Sequence, residues 1–226
     1  MREVVLDTET TGLSPQDGDR LVEIACITLN NHLPTGEIFH EYFNPQIPMP
    51  KAAEQIHGLT DDFLSTKPLF SSLAENFLNF IGADPLVIHN ASFDLGFINA
   101  ELVKLEMGPL PQNRAIDTLE LARKTFPGSP ASLNALCRRF EIDNSARTFH
   151  GALLDAELLA EIYLELIGGR QPDLVLDTKR KEQKKEDASE NPKHLFHTPR
   201  PHGATDQELA AHEEFLKLLK DPIWTK

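Results

Sequence analysis

The pattern that most restricts the fold is a change of period a third of the way along the chain. Val4-Val5-Leu6 is a short apolar strand ending at Asp7, and Leu21 to Leu29 and Ile38 to Phe43 read as two further strands. Asn30-Asn31-His32 and Pro34-Thr35-Gly36 supply turn chemistry between them, which predicts an antiparallel meander. Beyond it the apolar spacing becomes helical. Phe70, Leu73, Phe77, Leu78, Phe80 and Ile81 form one stripe, and Leu86-Val87-Ile88 is a buried strand running into His89. Phe93 to Leu105 is helical again, ending near Gly108-Pro109. Ala115-Ile116 leads to Asp117 and a helix to about Thr125. After the break Pro127-Gly128-Ser129-Pro130, Ser132 can cap a helix over Leu133 to Phe140. A last helix from about Ala152 to Ile167 stops at Gly168-Gly169. A meander followed by strands alternating with helices indicates an α/β fold, a mixed sheet with helices on its faces.

Acidic side chains sit where that pattern tolerates them least. Asp7 and Glu9 are alternate residues of one extended segment, so both point to the same face. Asp94 opens a helix, and Asp155 lies one turn inside the last one, with His150 a few residues before it. Hard oxygen donors of this kind suit Mg²⁺ or Mn²⁺. Asp7, Glu9 and Asp155 can hold one ion, with Asp7 bridging to a second and Asp94 ligating that second ion directly or through water. Two ions roughly 3.5–4 Å apart are the usual clamp for phosphoryl displacement. His150 has an ordinary pKa of about 6.5, suited to a general base on an attacking water.

Charge limits the substrate. The chain of 226 residues has a net charge of −13, but residues 169–226 carry 11 basic and 11 acidic side chains, so the excess belongs wholly to residues 1–168. A protein that follows many phosphates should be basic. Either nucleic acid is not the substrate, or a few nucleotides are gripped through metal ions while something else supplies affinity; the second reading is preferred here. No apolar run is long enough to span a bilayer, and the start has no leader pattern, so a cytoplasmic location is expected. Cys26 and Cys137 lie in apolar segments and are expected to be free buried thiols.

Three domains are expected: 1–169 folded, 170–205 a flexible linker, and 206–226 a tail. Residues 177–205 lack an apolar face and contain a run of lysines and glutamates, then Pro192, Pro199 and Pro201. Leu209, Ala210, Phe215, Leu216, Leu218 and Leu219 then restore a short amphipathic helix. It can dock in a partner's groove or fold back on the core.

Asp7-Thr8-Glu9-Thr10-Thr11-Gly12-Leu13, His89-Asn90-x-x-Phe93-Asp94 and His150-x4-Asp155 resemble the three motifs of the DEDD 3′–5′ exonucleases, in the histidine subclass. Ile56-His57-Gly58-Leu59-Thr60, Asp117-Thr118-Leu119, Ala122-Arg123-Lys124-x-Phe126-Pro127-Gly128, Leu133-x-Ala135-Leu136-Cys137 and His150 to Ala156 narrow the likeness. Over residues 3–169 the chain resembles the proofreading, epsilon-type subunits of bacterial DNA polymerase III. The resemblance implies a ribonuclease H-like fold and hydrolytic removal of the 3′-terminal nucleotide from single-stranded or mismatched DNA. It implies two catalytic divalent ions on Asp7, Glu9 and Asp155 with support from Asp94, His150 as proton acceptor, and His57 against the terminal nucleotide. Relatives often place a glutamate five residues before that histidine; this chain has Ala52, with Glu54 two positions off. Asp117 matches a family aspartate and reads equally as a strand-end cap. The resemblance further implies the polymerase III alpha subunit as partner of the 206–226 tail, a sliding clamp as partner of Gln171-Pro172-Asp173-Leu174-Val175-Leu176, and a small accessory subunit on the core. Alternatives are an exoribonuclease of the same fold and a non-catalytic stabilising subunit.

Overall fold

The computed structural model describes residues 1–145, 147, 149–168 and 203–218. Residues 1–168 belong to one compact unit and 203–218 to a second. The clamp-like peptide 171–176 and nearly all of the 170–205 linker lie outside the described residues.

The first unit is built on a five-stranded mixed sheet. Strands β1 (Arg2–Thr10), β2 (Leu21–Asn30) and β3 (Leu33–Tyr42) form the antiparallel meander, while β4 (Leu86–Ile88) and β5 (Ala115–Asp117) add in parallel beyond β1, giving the order β3-β2-β1-β4-β5. This is the ribonuclease H-like arrangement expected. One sheet face carries Val4, Leu6, Ile24, Leu86 and Ile88 against α3 (Phe70–Ile81) and α4 (Ala91–Lys104). The other carries Val5, Ala25, Ile27 and Val87 against Ala152, Ala156, Leu159 and Tyr163 of α7 (Ala152–Leu166). Helices α5 (Thr118–Thr125) and α6 (Leu133–Phe140) extend that layer through Ala122, Leu136 and Cys137. Both cysteines are free and buried. The carboxyl ends of β1, β4 and β5 point the same way, which is where sheets of this kind place their ligands.

Two differences from the sequence reading have simple causes. Pro34-Thr35-Gly36 is strand, not turn: the hairpin turns at Asn31 and His32, both with positive φ, and β3 is an edge strand, where a missing N–H costs no ladder bond. Two short helices, α1 (Lys51–His57) and α2 (Asp61–Ser65), have no apolar stripe long enough to read. They are set by punctuation instead: Pro50 before α1, Gly58 in the left-handed conformation after it, and the Thr60 side chain capping α2.

The connection from β1 to β2 is held by an ion pair between half-buried Arg20 and buried Glu101. Arg20 Nε and Nη2 donate to the two oxygens of Glu101 on α4 at 2.5 and 2.9 Å, and Nη1 donates to the Pro45 carbonyl at 3.1 Å. Burial alone would raise the Glu101 pKa, but the guanidinium outweighs it and holds the carboxyl below its ordinary value. Within the second unit, α8 (Asp206–Leu218) opens with a capping box in which Glu208 accepts from the Thr205 N–H and Thr205 Oγ1 accepts from the Glu208 N–H. Its Leu209, Phe215 and Leu218 are exposed. Among the described residues no helix is long and apolar enough to cross a membrane.

Removing Arg20 leaves Glu101 buried with only Lys104 for company. Arg20→Ala is expected to cost about 2 kcal/mol, less than breaking a fully buried pair because Arg20 is partly exposed, measured by urea unfolding. A double replacement of Arg20 and Glu101 by apolar residues should recover most of it.

Candidate active site

The carboxyl ends of β1 and β4 open into a cavity of about 660 Å³. Its floor comes from β1: Asp7 and Glu9 project on the α7 side of the sheet, while Thr8 projects on the α4 side. Asp155 comes down from the first turn of α7, and His150 from the loop before it, its N–H held by the Ile56 carbonyl. Glu9, His150 and Asp155 each present a ligand atom within 4.8 Å of the others. Asp94, buried at the start of α4, approaches from the opposite face around the strand ends and accepts from Thr8 Oγ1 at 2.7 Å. Asp7 and Asp94 are both outside that tightest group, and Asp94 is the strongest charged neighbour of Asp7.

Electrostatics mark the cluster as unfinished by protein alone. Burial, then repulsion from Asp94, Glu9 and Asp155, drives the Asp7 pKa well above the carboxylate range. Burial and the charges of Glu23 and Asp155 push Glu9 up to about 8, and burial pushes Asp94 up to about 7 despite its Thr8 bond. Such a set of hard donors fits divalent cations, which would restore the ionised forms. Glu23, directly opposite Glu9 in the β1–β2 register, is buried and escaped the sequence reading; its oxygen lies 2.7 Å from His40 Nε2.

The rest of the cavity is shaped for a ligand with an apolar part. Leu13, Ile56, Ala52 and Phe93 line it, Leu13 being largely exposed. The loop carrying Leu13 folds over Asp19, and a Cβ at Gly12 would fall 2.2 Å from that carboxylate and would have to displace it. His57 is buried in the wall. Its Nδ1 accepts from the Leu59 N–H at 3.0 Å, which leaves the hydrogen on Nε2, and Nε2 has no hydrogen-bond partner among the described residues. Burial lowers its pKa although the Thr10 backbone opposes the shift, so the ring is neutral, with Nε2 itself buried in the wall. Ala52 lines the cavity, whereas Glu54 lines a separate groove beside Phe149 and does not take its place. Asp117 caps: its carboxylate accepts from the N–H groups of Asn90, Ala91, Leu119 and Glu120, fixing the starts of α4 and α5.

A second residue absent from the sequence reading is Arg147. Arg147 Nε and Nη2 donate to the two oxygens of Asp155 at 2.5 and 2.6 Å, and Nη2 lies 2.9 Å from His150 Nδ1. Burial, then the Arg147 charge, lowers the His150 pKa below its ordinary 6.5.

Known proteins resemble this chain in sequence and in fold. The model of the exonuclease family matches residues 4–163. The DNA polymerase III subunit epsilon of Rickettsia felis is 47% identical, with 96% of each chain covered. That of Escherichia coli K12 is 40% identical, covering 97% of this chain and 93% of its own. The chain belongs to the exonuclease family, among the DNA polymerase III epsilon subunits. The fold is shared more widely. The nuclease domain of 3′hExo, a DEDDh family member solved with rAMP, superposes with a TM-score of 0.64 at 18% identity, over 74% of this chain and 91% of that one. Exonuclease X, solved with 5′ overhanging duplex DNA, gives 0.57 at 24%, over 73% and 90%.

Because Asp7, Glu9 and Asp94 hold protons more tightly folded than unfolded, folding stability should fall as pH rises from about 4 towards 8 in chelator. Scanning calorimetry is expected to show Tm dropping over that window, and millimolar Mg²⁺ or Mn²⁺ at pH 8 should reverse the drop.

Proposed function

We propose that this chain is the 3′–5′ exonuclease proofreading subunit of a replicative DNA polymerase III, hydrolysing the terminal phosphodiester of single-stranded or mismatched 3′ ends. The observation that carries the reading is the convergence of Glu9, His150 and Asp155 on one point beside Asp7 and Asp94. Asp7, Glu9 and Asp155 would hold two divalent cations, Mg²⁺ or Mn²⁺, with Asp94 supporting the second. When bound, the cations would supply an activated water and charge stabilisation at the leaving 3′ oxygen.

The remaining work falls to the chain's own groups. Neutral His150 accepts the proton of the attacking water, and its lowered pKa keeps it unprotonated near neutrality. His57, in the cavity wall, lies against the terminal nucleotide. Leu13, Ile56 and Phe93 pack against the terminal base and sugar, and with Ala52 in the wall the sugar is held without a carboxylate at that point. This grip spans few nucleotides, as an acidic domain requires.

Affinity comes from tethering. The boundaries 1–169, 170–205 and 206–226 serve a catalytic domain, a linker and a tail whose exposed Leu209, Phe215 and Leu218 dock in the polymerase alpha subunit. A flexible linker raises the effective concentration of the site at the primer end, so little intrinsic DNA affinity is required. Residues 171–176 would engage a sliding clamp, a small accessory subunit would bind the core, and the assembly would work in the cytoplasmic replisome.

Asp7→Ala and Glu9→Ala are each expected to abolish release of nucleoside monophosphates from a 3′-mismatched oligonucleotide while leaving the folded spectrum intact. A base must be unprotonated to act, so the wild-type rate should climb with pH through the His150 pKa, below about 6.5, and then level. His150→Ala should lower the rate about 10²-fold or more and erase that rise in a pH–rate series. Deleting 206–226 should abolish co-purification with the polymerase yet leave activity on a free oligonucleotide unchanged.

A further inference from the structure

Arg147 engages the two groups on which hydrolysis depends, and it engages them at the same time. Its guanidinium covers both oxygens of Asp155, at 2.5 and 2.6 Å, and both side chains are only about one-twentieth exposed. A guanidinium can only donate. The 2.9 Å contact from Nη2 therefore consumes the lone pair on His150 Nδ1 and leaves the ring's hydrogen on Nε2, so in this arrangement His150 has no lone pair with which to accept a proton. A fourth hydrogen bond, Nη1 to Asn134 Oδ1 at 3.0 Å, ties Arg147 to α6.

From this geometry we propose that Arg147 is an exchangeable internal counter-ion, an autoinhibitory latch that a divalent cation must displace from Asp155 before the site is competent. The inference rests on the two-ion reading above. A doubly charged ion among Asp7, Glu9 and Asp155 is attracted by three carboxylates at once, whereas the guanidinium bonds only Asp155 of the three, which favours the exchange. Displacement uncovers the Asp155 oxygens and returns the Nδ1 lone pair to His150. Arg147 stays at the cavity wall on its Asn134 bond, facing where a phosphodiester enters. Ion loading and unmasking of the base thus become one event, and without the ions Arg147 offsets the charge of Asp155 alone.

Calorimetric titration of Mn²⁺ into the full chain tests this by the sign of an affinity change. With no competitor on Asp155, Arg147→Ala is expected to bind Mn²⁺ at least 10-fold more tightly than wild type, with Arg147→Lys between them. An arginine that merely braces the pocket predicts the reverse, and unchanged or weaker binding in Arg147→Ala overturns the proposal. Should that variant fail to fold, the wild-type protein answers the question through the Nε–H resonance of Arg147. Mg²⁺ saturation should collapse this protected signal into rapid exchange with water, and its persistence in the Mg²⁺-loaded protein overturns the latch. Wild-type protein that binds no divalent ion would instead remove the two-ion reading beneath it.

Discussion

Carboxylates that cannot all be charged at once govern this molecule. Asp7 and Glu9 share one face of β1, Glu23 stands across from Glu9 on β2, Asp155 descends on α7, and Asp94 closes from the other side of the sheet. Burial first, and neighbouring negative charge after it, drives Asp7, Glu9 and Asp94 towards protonation. The sheet bears that cost because hydrophobic burial on both of its faces is extensive. What relieves it is positive charge, whether a guanidinium or a metal ion, and the function follows from which of the two is present.

The topology explains how residues so distant in sequence meet. Adding β4 and β5 parallel to β1 brings three strand ends to one edge, and each end hands the chain to a helix or loop that carries a polar residue inward. Asp117 has a quieter part in the same design. By accepting from four N–H groups it locks the starts of α4 and α5 together, which sets where Asp94 can stand. The two helical layers are therefore registered to each other at the catalytic end, where placement matters most.

Much of this was legible in the sequence because it depends on period and on strand ends. The β1 alternation placed Asp7 and Glu9 on one face, and the helical stripe of α3 emerged with its observed bounds. The illegible parts depend on partners far away in sequence or on single residues. Arg147 sits in a short loop with no periodicity, and nothing local distinguishes it from a solvated arginine until Asp155 is folded against it. Glu23 is one acid in an otherwise apolar strand buried on both faces, and its meaning depends on the register that sets it opposite Glu9. Helices α1 and α2 are too short for an amphipathic signal, yet α1 delivers His57 and Ala52 to the cavity.

The outer margins of the sheet bear on how such a protein survives at high local density. One margin is β5, only three residues long; the other is β3, ten residues long and largely exposed, but interrupted by Pro34 and Gly36 and bearing Glu37 and Glu41. Proline withholds a donor from any strand that approaches, and the glutamates of a second copy would meet like charge. A second copy that approached this margin is thus denied edge-to-edge strand pairing.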